Sequence, residues 1–160
     1  MIVRLRKQRN ECYPTLQLMI EGTKIEQFGE AHNNKCHKFL GIMMDDRLDW
    51  SHHIKYVSNK VRKIIFSLSK IKTIFPCKLR LQLYKSLLIP HIEYGLLIYG
   101  NANQIGKVVK LHKWGIRTAL NKKYNCHTMP LYKENDILNV RDLYNLKMLN
   151  QIRELSLIHI

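Results

Sequence analysis

The chain has 160 residues, which is the length of one domain or of part of a larger one. Its apolar fraction of 46% is enough for a core and excludes wholesale disorder. The 27 Lys and Arg residues against 12 Asp and Glu give a net charge of +15, which indicates a polyanionic partner. Nucleic acid is the first candidate and an anionic membrane the second; the remaining alternative is a basic protein without such a partner.

The positive charge is concentrated in the middle of the chain. Residues 51–123 carry 15 basic side chains and a single acid, Glu93. Residues 1–50 carry 8 basic and 7 acidic side chains, and residues 124–160 carry 4 of each. General solubility does not explain so uneven a distribution.

No segment has the pattern of an export signal or a membrane span. The most apolar window, "SLLIPHIEYGLLIYG", is short and contains Pro90, His91 and Glu93, so we predict no membrane partner. The cysteines are widely spaced and form no C-x-x-C pair, which favours free thiols in a reducing, intracellular compartment, nuclear or cytoplasmic. Cys-His pairs occur at residues 36–37 and 126–127, but they lack the spacing of structural zinc motifs, so we predict no metal and no cofactor.

The first 48 residues have β character. "TLQLMI" alternates apolar and polar residues, Glu21-Gly22 is a turn signal, and "TKIEQF" follows as a return strand. "HKFLGIMM" is predicted as one short strand in which Gly41 allows another backbone to approach closely. We predict residues 1–48 to be a small β segment.

Four helices are predicted after Trp50. Apolar residues at helical spacing mark the first helix up to Ile71, and Pro76 follows it. The second helix begins near Lys78, and Pro90 inside its pattern should kink or break it. The third covers about residues 104–120. The fourth begins near Val140 after a polar stretch, with Asn139 as its cap.

The predicted fold class is therefore mainly α with a small N-terminal β element, that is, α+β. Three parts are predicted along the chain: residues 1–48 as the β segment, 49–121 as a basic helical bundle, and 122–160 as a connecting region with a C-terminal helix.

Asp45 and Asp46 raise the question of a catalytic metal site. Two-metal nucleotidyl transfer needs converging carboxylates around ions about 4 Å apart. No aspartate precedes Asp45, and the residues that follow predict a turn and a helix start. We interpret the pair as the end of a strand that shapes a turn, and we predict no catalytic residue and no small-molecule substrate.

Basic residues on two helices are the candidate binding site. On the first helix they lie opposite the apolar stripe, with Phe66 among them, and on the third they share a face with Trp114. The candidate nucleic-acid-binding residues are Lys55, Arg62, Lys63, Lys70, Lys107, Lys110, Lys113 and Arg117. The cations either contact phosphates or form a plain solvated face, and the two aromatic rings either stack on bases or pack against protein.

Two other features are interpreted as packing. His112 lies on the apolar side of the third helix and is predicted to be a hydrogen-bonded core histidine rather than a ligand. Tyr94-Gly95 and Tyr99-Gly100 are predicted to allow close packing and to carry no chemistry.

Four stretches in order resemble the reverse transcriptases (RNA-directed DNA polymerases) of non-LTR retrotransposons, which are LINE-like transposable elements of the Jockey and CR1 type. They are "KFLGIMMDDRLDWSHHI", "LRLQLYKSLLIPHIEYGLLIYGNA", "LHKWGIRTALN" and "HTMPLYKENDILNVRDLYNLKML". The resemblance covers roughly residues 15–150 with order and spacing kept. The closing "SLIHI" matches nothing in that pattern.

The resemblance implies a fragment of the polymerase: the end of the palm, the thumb and the connecting region. In that family the catalytic aspartates, which bind Mg²⁺, lie before the part seen here, so the fragment is expected to be inactive alone. A thumb would grip the template–primer duplex by its phosphates, independently of sequence. The alternatives are a stand-alone basic helical module that binds RNA or DNA, and a decayed remnant without function.

Overall fold

The computed structural model describes residues 18–20, 23–25, 36–45 and 47–158. It confirms the α+β class, because two small β-hairpins precede a mainly helical part. The chain divides into two compact units, residues 1–53 and residues 54–160. The functional parts predicted from the sequence, with their limits at residues 48 and 121, stay predictions.

The first hairpin matches the predicted strand and return strand. Strand β1, Leu18–Ile20, pairs antiparallel with β2, Thr23–Ile25. Leu18 lies opposite Ile25, and Ile20 lies opposite Thr23. The predicted turn at Glu21-Gly22 lies outside the described residues.

The second hairpin corrects the prediction of a single strand over "HKFLGIMM". Strand β3, Cys36–Phe39, pairs antiparallel with β4, Ile42–Asp45. Leu40 and Gly41 connect them with φ angles of 44° and 82°, the positive values that a two-residue type I′ turn requires. Leucine rarely adopts such a φ, so local preference favoured a continuous strand and concealed the turn.

In the described part of the chain, seven α-helices follow, one of them preceded directly by a π-helical turn. No helix in the described part of the chain is long and apolar enough to cross a membrane. The helices are α1 (Ser51–Lys70), α2 (Cys77–Leu83), α3 (Ile89–Glu93), α4 (Leu96–Tyr99), α5 (Gly106–Ala119), α6 (Thr128–Glu134) and α7 (Val140–Ile158), with the π-helical turn at Tyr84–Leu88. The four predicted helices correspond to α1, the continuous segment 77–93, α5 and α7.

Pro90 does not break the second helix. The backbone torsions stay helical at Leu83, Leu88 and Ile89, and Pro90 lies in the first turn of α3. The Ile89 amide donates to the Tyr84 carbonyl, five residues back, which defines the π-helical turn. Because proline has no N–H and crowds the preceding turn, a local widening of this kind accommodates it within a helical path. The helix ends instead at Tyr94, whose backbone is extended.

The predicted close packing is found at Tyr99 and Gly100, whereas Tyr94 is 56% exposed. Gly95 adopts a left-handed conformation with φ of 69°, and the Tyr99 hydroxyl donates a hydrogen bond to the Ile92 carbonyl. A Cβ atom added to Gly100 would lie 2.4 Å from Cδ2 of Tyr144. Gly95 therefore allows the left-handed backbone conformation, and Gly100 allows the close contact between α4 and α7.

Helix α6 was missed because its sequence, "TMPLYKE", follows a polar stretch. Its buried residues are Thr128, Leu131 and Tyr132. Pro130 lies in the first turn, where backbone N–H groups have no intrahelical partner. The start of α7 agrees with the prediction, because Oδ1 of Asn139 accepts from the Arg141 and Asp142 amides at 2.9 and 3.1 Å.

Helix α5 is central to the larger unit and contacts α2, the π-helical turn, α6 and α7. Its buried side consists of Val108, Leu111, His112, Gly115, Ile116 and Ala119. A Cβ atom added to Gly115 would lie 2.7 Å from Cδ1 of Leu88 and 3.0 Å from Cε2 of Tyr84. Glycine at this position lets α5 approach the π-helical turn closely.

We therefore expect Gly115→Ala to destabilise the protein, although alanine is the better helix former by about 1 kcal/mol. The added methyl group would overpack the contact with the π-helical turn, at a cost of about 1–3 kcal/mol. Urea unfolding followed by circular dichroism measures the difference.

Gly106→Ala on the same helix is the matched control, because a Cβ there would meet nothing within 4 Å. We expect Gly106→Ala to leave the stability unchanged or to raise it. Equal effects of the two substitutions would contradict the close approach at Gly115.

Candidate nucleic-acid interface

The four candidate cations of α1 are all exposed, as the helical stripe predicted. Lys55, Arg62, Lys63 and Lys70 lie at the surface. The opposite side of α1 is buried through Ile54, Val57, Val61, Ile65 and Leu68. Burial of that stripe fixes the rotation of the helix, so the cations face solvent.

Phe66 lies among these cations and is 58% exposed. The Lys70 Nζ atom lies 4.6 Å from the centre of its ring. A cation at that distance is attracted by the negative face of the ring. The ring is thus partly covered by a neighbouring cation on its own helix and keeps more than half of its surface open.

The candidate cations of α5 differ in their exposure. Lys107, Lys110 and Lys113 are exposed, whereas Arg117 is half-buried. Lys107 Nζ donates to the Gln104 side-chain oxygen at 2.7 Å. The Nε–H group of Arg117 donates to the Cys126 carbonyl at 2.8 Å, so this guanidinium is held in place by the loop that follows the helix.

Aromatic residues accompany the cations at the C-terminal end of α5. Trp114 is 45% exposed and precedes Arg117 by three residues, so the two are neighbours on the helix surface. Tyr124 is 89% exposed, and its ring centre lies 6.0 Å from Cζ of Arg117. Lys122 and Lys123 beside it are exposed as well.

Tyr124, Lys122 and Lys123 are not among the candidates predicted from the sequence, because they lie in the polar stretch "NKKYNCHTMP" between the third and fourth predicted helices. Two adjacent lysines followed by an aromatic residue, directly after a basic helix, were the available signal. The sequence does not show that the loop turns back towards α5 and so places the Tyr124 ring beside Arg117.

Few acids oppose these cations. Residues 94–133 contain seven Lys and Arg residues and no Asp or Glu. Glu93, the one acid of the basic segment, lies 3.4 Å from Lys147 on α7. It therefore neutralises a cation outside the candidate set, and the basic character of α1 and α5 remains.

Asp45 shapes a turn, as interpreted from the sequence. Its side chain is buried at the end of β4, and Oδ1 accepts from the Asp49 amide at 3.0 Å. Its carbonyl accepts from the Leu48 amide at 3.3 Å, and its Oδ2 lies 3.7 Å from Nδ1 of His52. Asp46 lies outside the described residues.

Within residues 18–20, 23–25, 36–45 and 47–158, no three His, Cys, Asp or Glu side chains cluster so that they could hold a metal ion. Cys36, Cys77 and Cys126 are free thiols, in agreement with the prediction, and Cys12 lies outside the described residues.

His112 is a core histidine, as predicted. It is 1% exposed, its Nδ1 atom lies 2.9 Å from the Tyr132 hydroxyl, and its ring stacks on that of Tyr132 with centres 5.1 Å apart. Tyr84 of the π-helical turn lies on its other flank, with ring centres 5.8 Å apart. Burial lowers the pKa of His112 from 6.5 to about 4 and raises the pKa values of Tyr84 and Tyr132 above their usual 10.

Comparison with known proteins gives a limited similarity. Over 75 residues, the chain is 33% identical to the RNA-directed DNA polymerase from mobile element jockey of Drosophila melanogaster. The match covers 44% of this chain and 8% of that protein. No family model matches the chain, and no solved structure matches it significantly. The similarity supports a region related to the reverse transcriptase of a non-LTR retrotransposon.

The buried His112 makes the stability of the fold depend on pH. Its folded pKa lies below its unfolded value, so the unfolded state binds the proton more tightly. The contribution of neutral His112 is fully present above about pH 6.5 and is lost as the pH falls through about 4. We expect a loss on the order of 2 kcal/mol between pH 7 and pH 4.5, measured by urea unfolding at each pH.

His112→Phe should lower the overall stability, because the Tyr132 hydroxyl loses its partner, but it should flatten the dependence on pH. His91→Gln changes an exposed histidine and is the matched control. It should leave the pH dependence as it is in the natural chain. An unchanged pH dependence in His112→Phe would show that other groups cause it.

Proposed function

We propose that this chain corresponds to the end of the palm, the thumb and the connecting region of a retrotransposon reverse transcriptase. In this proposal, the helices grip the template–primer duplex by its phosphates. The observation that carries the proposal is the set of exposed cations on α1 and on α5, each opposite a buried stripe, on two helices whose sequences contain no Asp or Glu. The similarity to the jockey polymerase is independent support.

The chemistry of the rows suits sequence-independent binding. A thumb must hold every template–primer sequence that passes, so its contacts go to phosphates and sugars rather than to base edges. Lysine presents a compact charge on a flexible stem, which adapts to phosphates without demanding one geometry. Six of the eight candidate residues are lysines: Lys55, Lys63, Lys70, Lys107, Lys110 and Lys113.

The length of the α1 row matches a short stretch of duplex. Lys55 and Lys70 are fifteen residues apart, which corresponds to about 22 Å along a helix axis. A nucleic-acid strand advances about 3.4 Å per nucleotide, so the row extends along roughly six base pairs. Four cations over that length can each reach a different phosphate.

The proposal includes the absence of activity in the isolated chain. The metal-binding aspartates of the whole polymerase, and the Mg²⁺ that they would hold, belong in this proposal to a part that precedes the described residues. The burial of Asp45 and its hydrogen bond to the Asp49 amide support this, because the carboxylate is already used in the turn.

We therefore expect the purified chain to extend no primer, with Mg²⁺ or Mn²⁺, on either an RNA or a DNA template. A gel-based primer-extension assay is the measurement. Asp45→Asn and Asp46→Asn are the test variants, because asparagine keeps the size and one acceptor oxygen of each side chain. Extension that either substitution removes would contradict our interpretation of the aspartate pair.

The binding proposal is tested by the salt dependence of affinity. We expect log affinity for duplex DNA to fall with log salt at a slope of ~0.9 per phosphate contacted. Changing Lys55, Arg62, Lys63 and Lys70 to Gln should reduce the slope by roughly 3 to 4 if each residue contacts one phosphate. The loss should be the same for unrelated duplex sequences, and the fold should persist because the four side chains are exposed.

The control variant changes four cations in the charge-balanced parts of the chain: Lys24, Lys133, Arg141 and Arg153. It removes the same net charge and should flatten the slope less. Equal losses in both variants would mean that only the total charge matters and that α1 has no binding face. No duplex binding by the natural chain at low salt would favour the decayed remnant.

A further inference from the structure

Tyr124 is the most exposed aromatic ring in the described part of the chain, with 89% of its surface open. A single exposed tyrosine on a loop is ordinary. This one is in a different situation, because its ring centre lies 6.0 Å from Cζ of Arg117, and the exposed Trp114 precedes Arg117 by three residues on α5. An aromatic face flanked by cations is the arrangement that binds a nucleotide through both its base and its phosphate.

The loop that carries Tyr124 is fixed to the end of α5. The Lys122 amide donates to the Arg117 carbonyl at 2.8 Å, and the Asn121 amide donates to the Thr118 carbonyl at 3.2 Å. After Tyr124, the Cys126 amide donates to the Lys123 carbonyl at 3.1 Å. The Arg117 side chain then closes the loop by its hydrogen bond to the Cys126 carbonyl.

These bonds preorganise the backbone of the loop that carries the ring. Arg117 bonds to Cys126, two residues after Tyr124, and its guanidinium lies beside the Tyr124 ring. A surface that is already ordered loses less conformational entropy when it binds. The other side of the ring is left to solvent.

The charged residues along α5 and next to Tyr124 in the sequence are all cations. Lys122 and Lys123 precede Tyr124 directly, and Lys110 and Lys113 continue the row along α5. No Asp or Glu occurs between residues 94 and 133. An anionic ligand therefore meets attraction at every position along this row.

We propose that Tyr124, with Arg117, Lys122 and Lys123, binds an unpaired nucleotide of single-stranded nucleic acid. The base stacks on the open face of the Tyr124 ring, and the lysines contact the adjacent phosphates. Bases inside a duplex are stacked on both faces, so only an unpaired or a terminal base has a face free to cover the ring. Trp114, three residues before Arg117, offers a second ring on the same side of α5.

This inference rests on the proposed function. The helices hold the duplex, and the single strand that continues from the duplex binds at the C-terminal end of α5. The helix rows hold paired nucleic acid by phosphates, and the tyrosine distinguishes the unpaired part by stacking. Both contributions are blind to sequence, since every base has a face that can stack.

The experiment compares two ligands at the same low salt. One is a blunt 12-base-pair DNA duplex with a fluorescent label, and the other is the same duplex with a six-nucleotide oligo-dT extension. Affinity is measured by fluorescence anisotropy for the full natural chain and for Tyr124→Ala, Tyr124→Phe and Tyr94→Ala. Tyr94 is the matched control because it is an exposed tyrosine outside the row.

We expect Tyr124→Ala to weaken binding of the extended ligand by about 5- to 100-fold, the range for loss of one stacked base. Binding of the blunt duplex should stay unchanged, and Tyr124→Phe should keep the affinity for both ligands because the ring remains. Tyr94→Ala should behave like the natural chain. Circular dichroism checks that each variant keeps its helical content.

Equal weakening of both ligands by Tyr124→Ala would overturn the proposal, because the ring would then belong to the duplex surface. No effect on either ligand would also overturn it, while the duplex-binding function would stand. Binding of the extended ligand alone by the natural chain, lost in Tyr124→Ala, would support the nucleotide site and reject the duplex grip. The two proposals therefore fail on different measurements.

Discussion

The close approach of α5 to the π-helical turn at Gly115 is the contact on which the larger unit depends. A Cβ atom there would lie 2.7 Å from Cδ1 of Leu88 and 3.0 Å from Cε2 of Tyr84, so any other residue would force these buried side chains to shift. The contact fixes the rotation of α5 about its own axis. Since side chains advance by about 100° per residue, burying Gly115 and Ile116 places Lys110, Lys113 and Trp114 at the surface.

The π-helical turn and the histidine pair are parts of the same contact. The turn at Tyr84–Leu88 brings Tyr84 to one flank of His112, while Tyr132 of α6 stacks on the other. The hydrogen bond between Tyr132 and His112 specifies how α6 lies on α5, since burial of either polar group without a partner would be costly. Three segments that are distant in sequence thus meet around one imidazole ring.

The proposed binding surface follows from this core without sharing any of its residues. Packing buries the apolar side of α5, and the charged and large residues that remain exposed on it are cations and Trp114. The loop after α5 then turns back and is fastened by Arg117, which both lies on the helix and bonds to the loop. A rigid core and a charged exterior are what a nucleic-acid grip requires, because affinity comes from many weak phosphate contacts held in register.

The sequence alone determined the elements whose signals are local. Apolar spacing placed α1 and α5, the side chain of Asn139 located the start of α7, and Glu21-Gly22 located the first hairpin. The charge distribution and the exposure of seven of the eight candidate cations also followed, because a helix with one apolar stripe must turn its other side to water. Arg117 is the exception, because it is half-buried by its bond to the loop. The role of Asp45 in a turn could also be predicted, because the bond that it makes is to Asp49, only four residues further along the chain.

Only the tertiary structure decided the features that depend on partners far along the chain. The pairing of β3 with β4 holds Leu40 in a conformation that leucine disfavours, and the widened helix before Pro90 replaces the break that proline favours locally. The meeting of Tyr84, His112 and Tyr132 and the position of Tyr124 beside Arg117 leave no periodic signal. Periodicity reports which side of an element is buried, whereas the identity of the neighbour is set by how the elements pack.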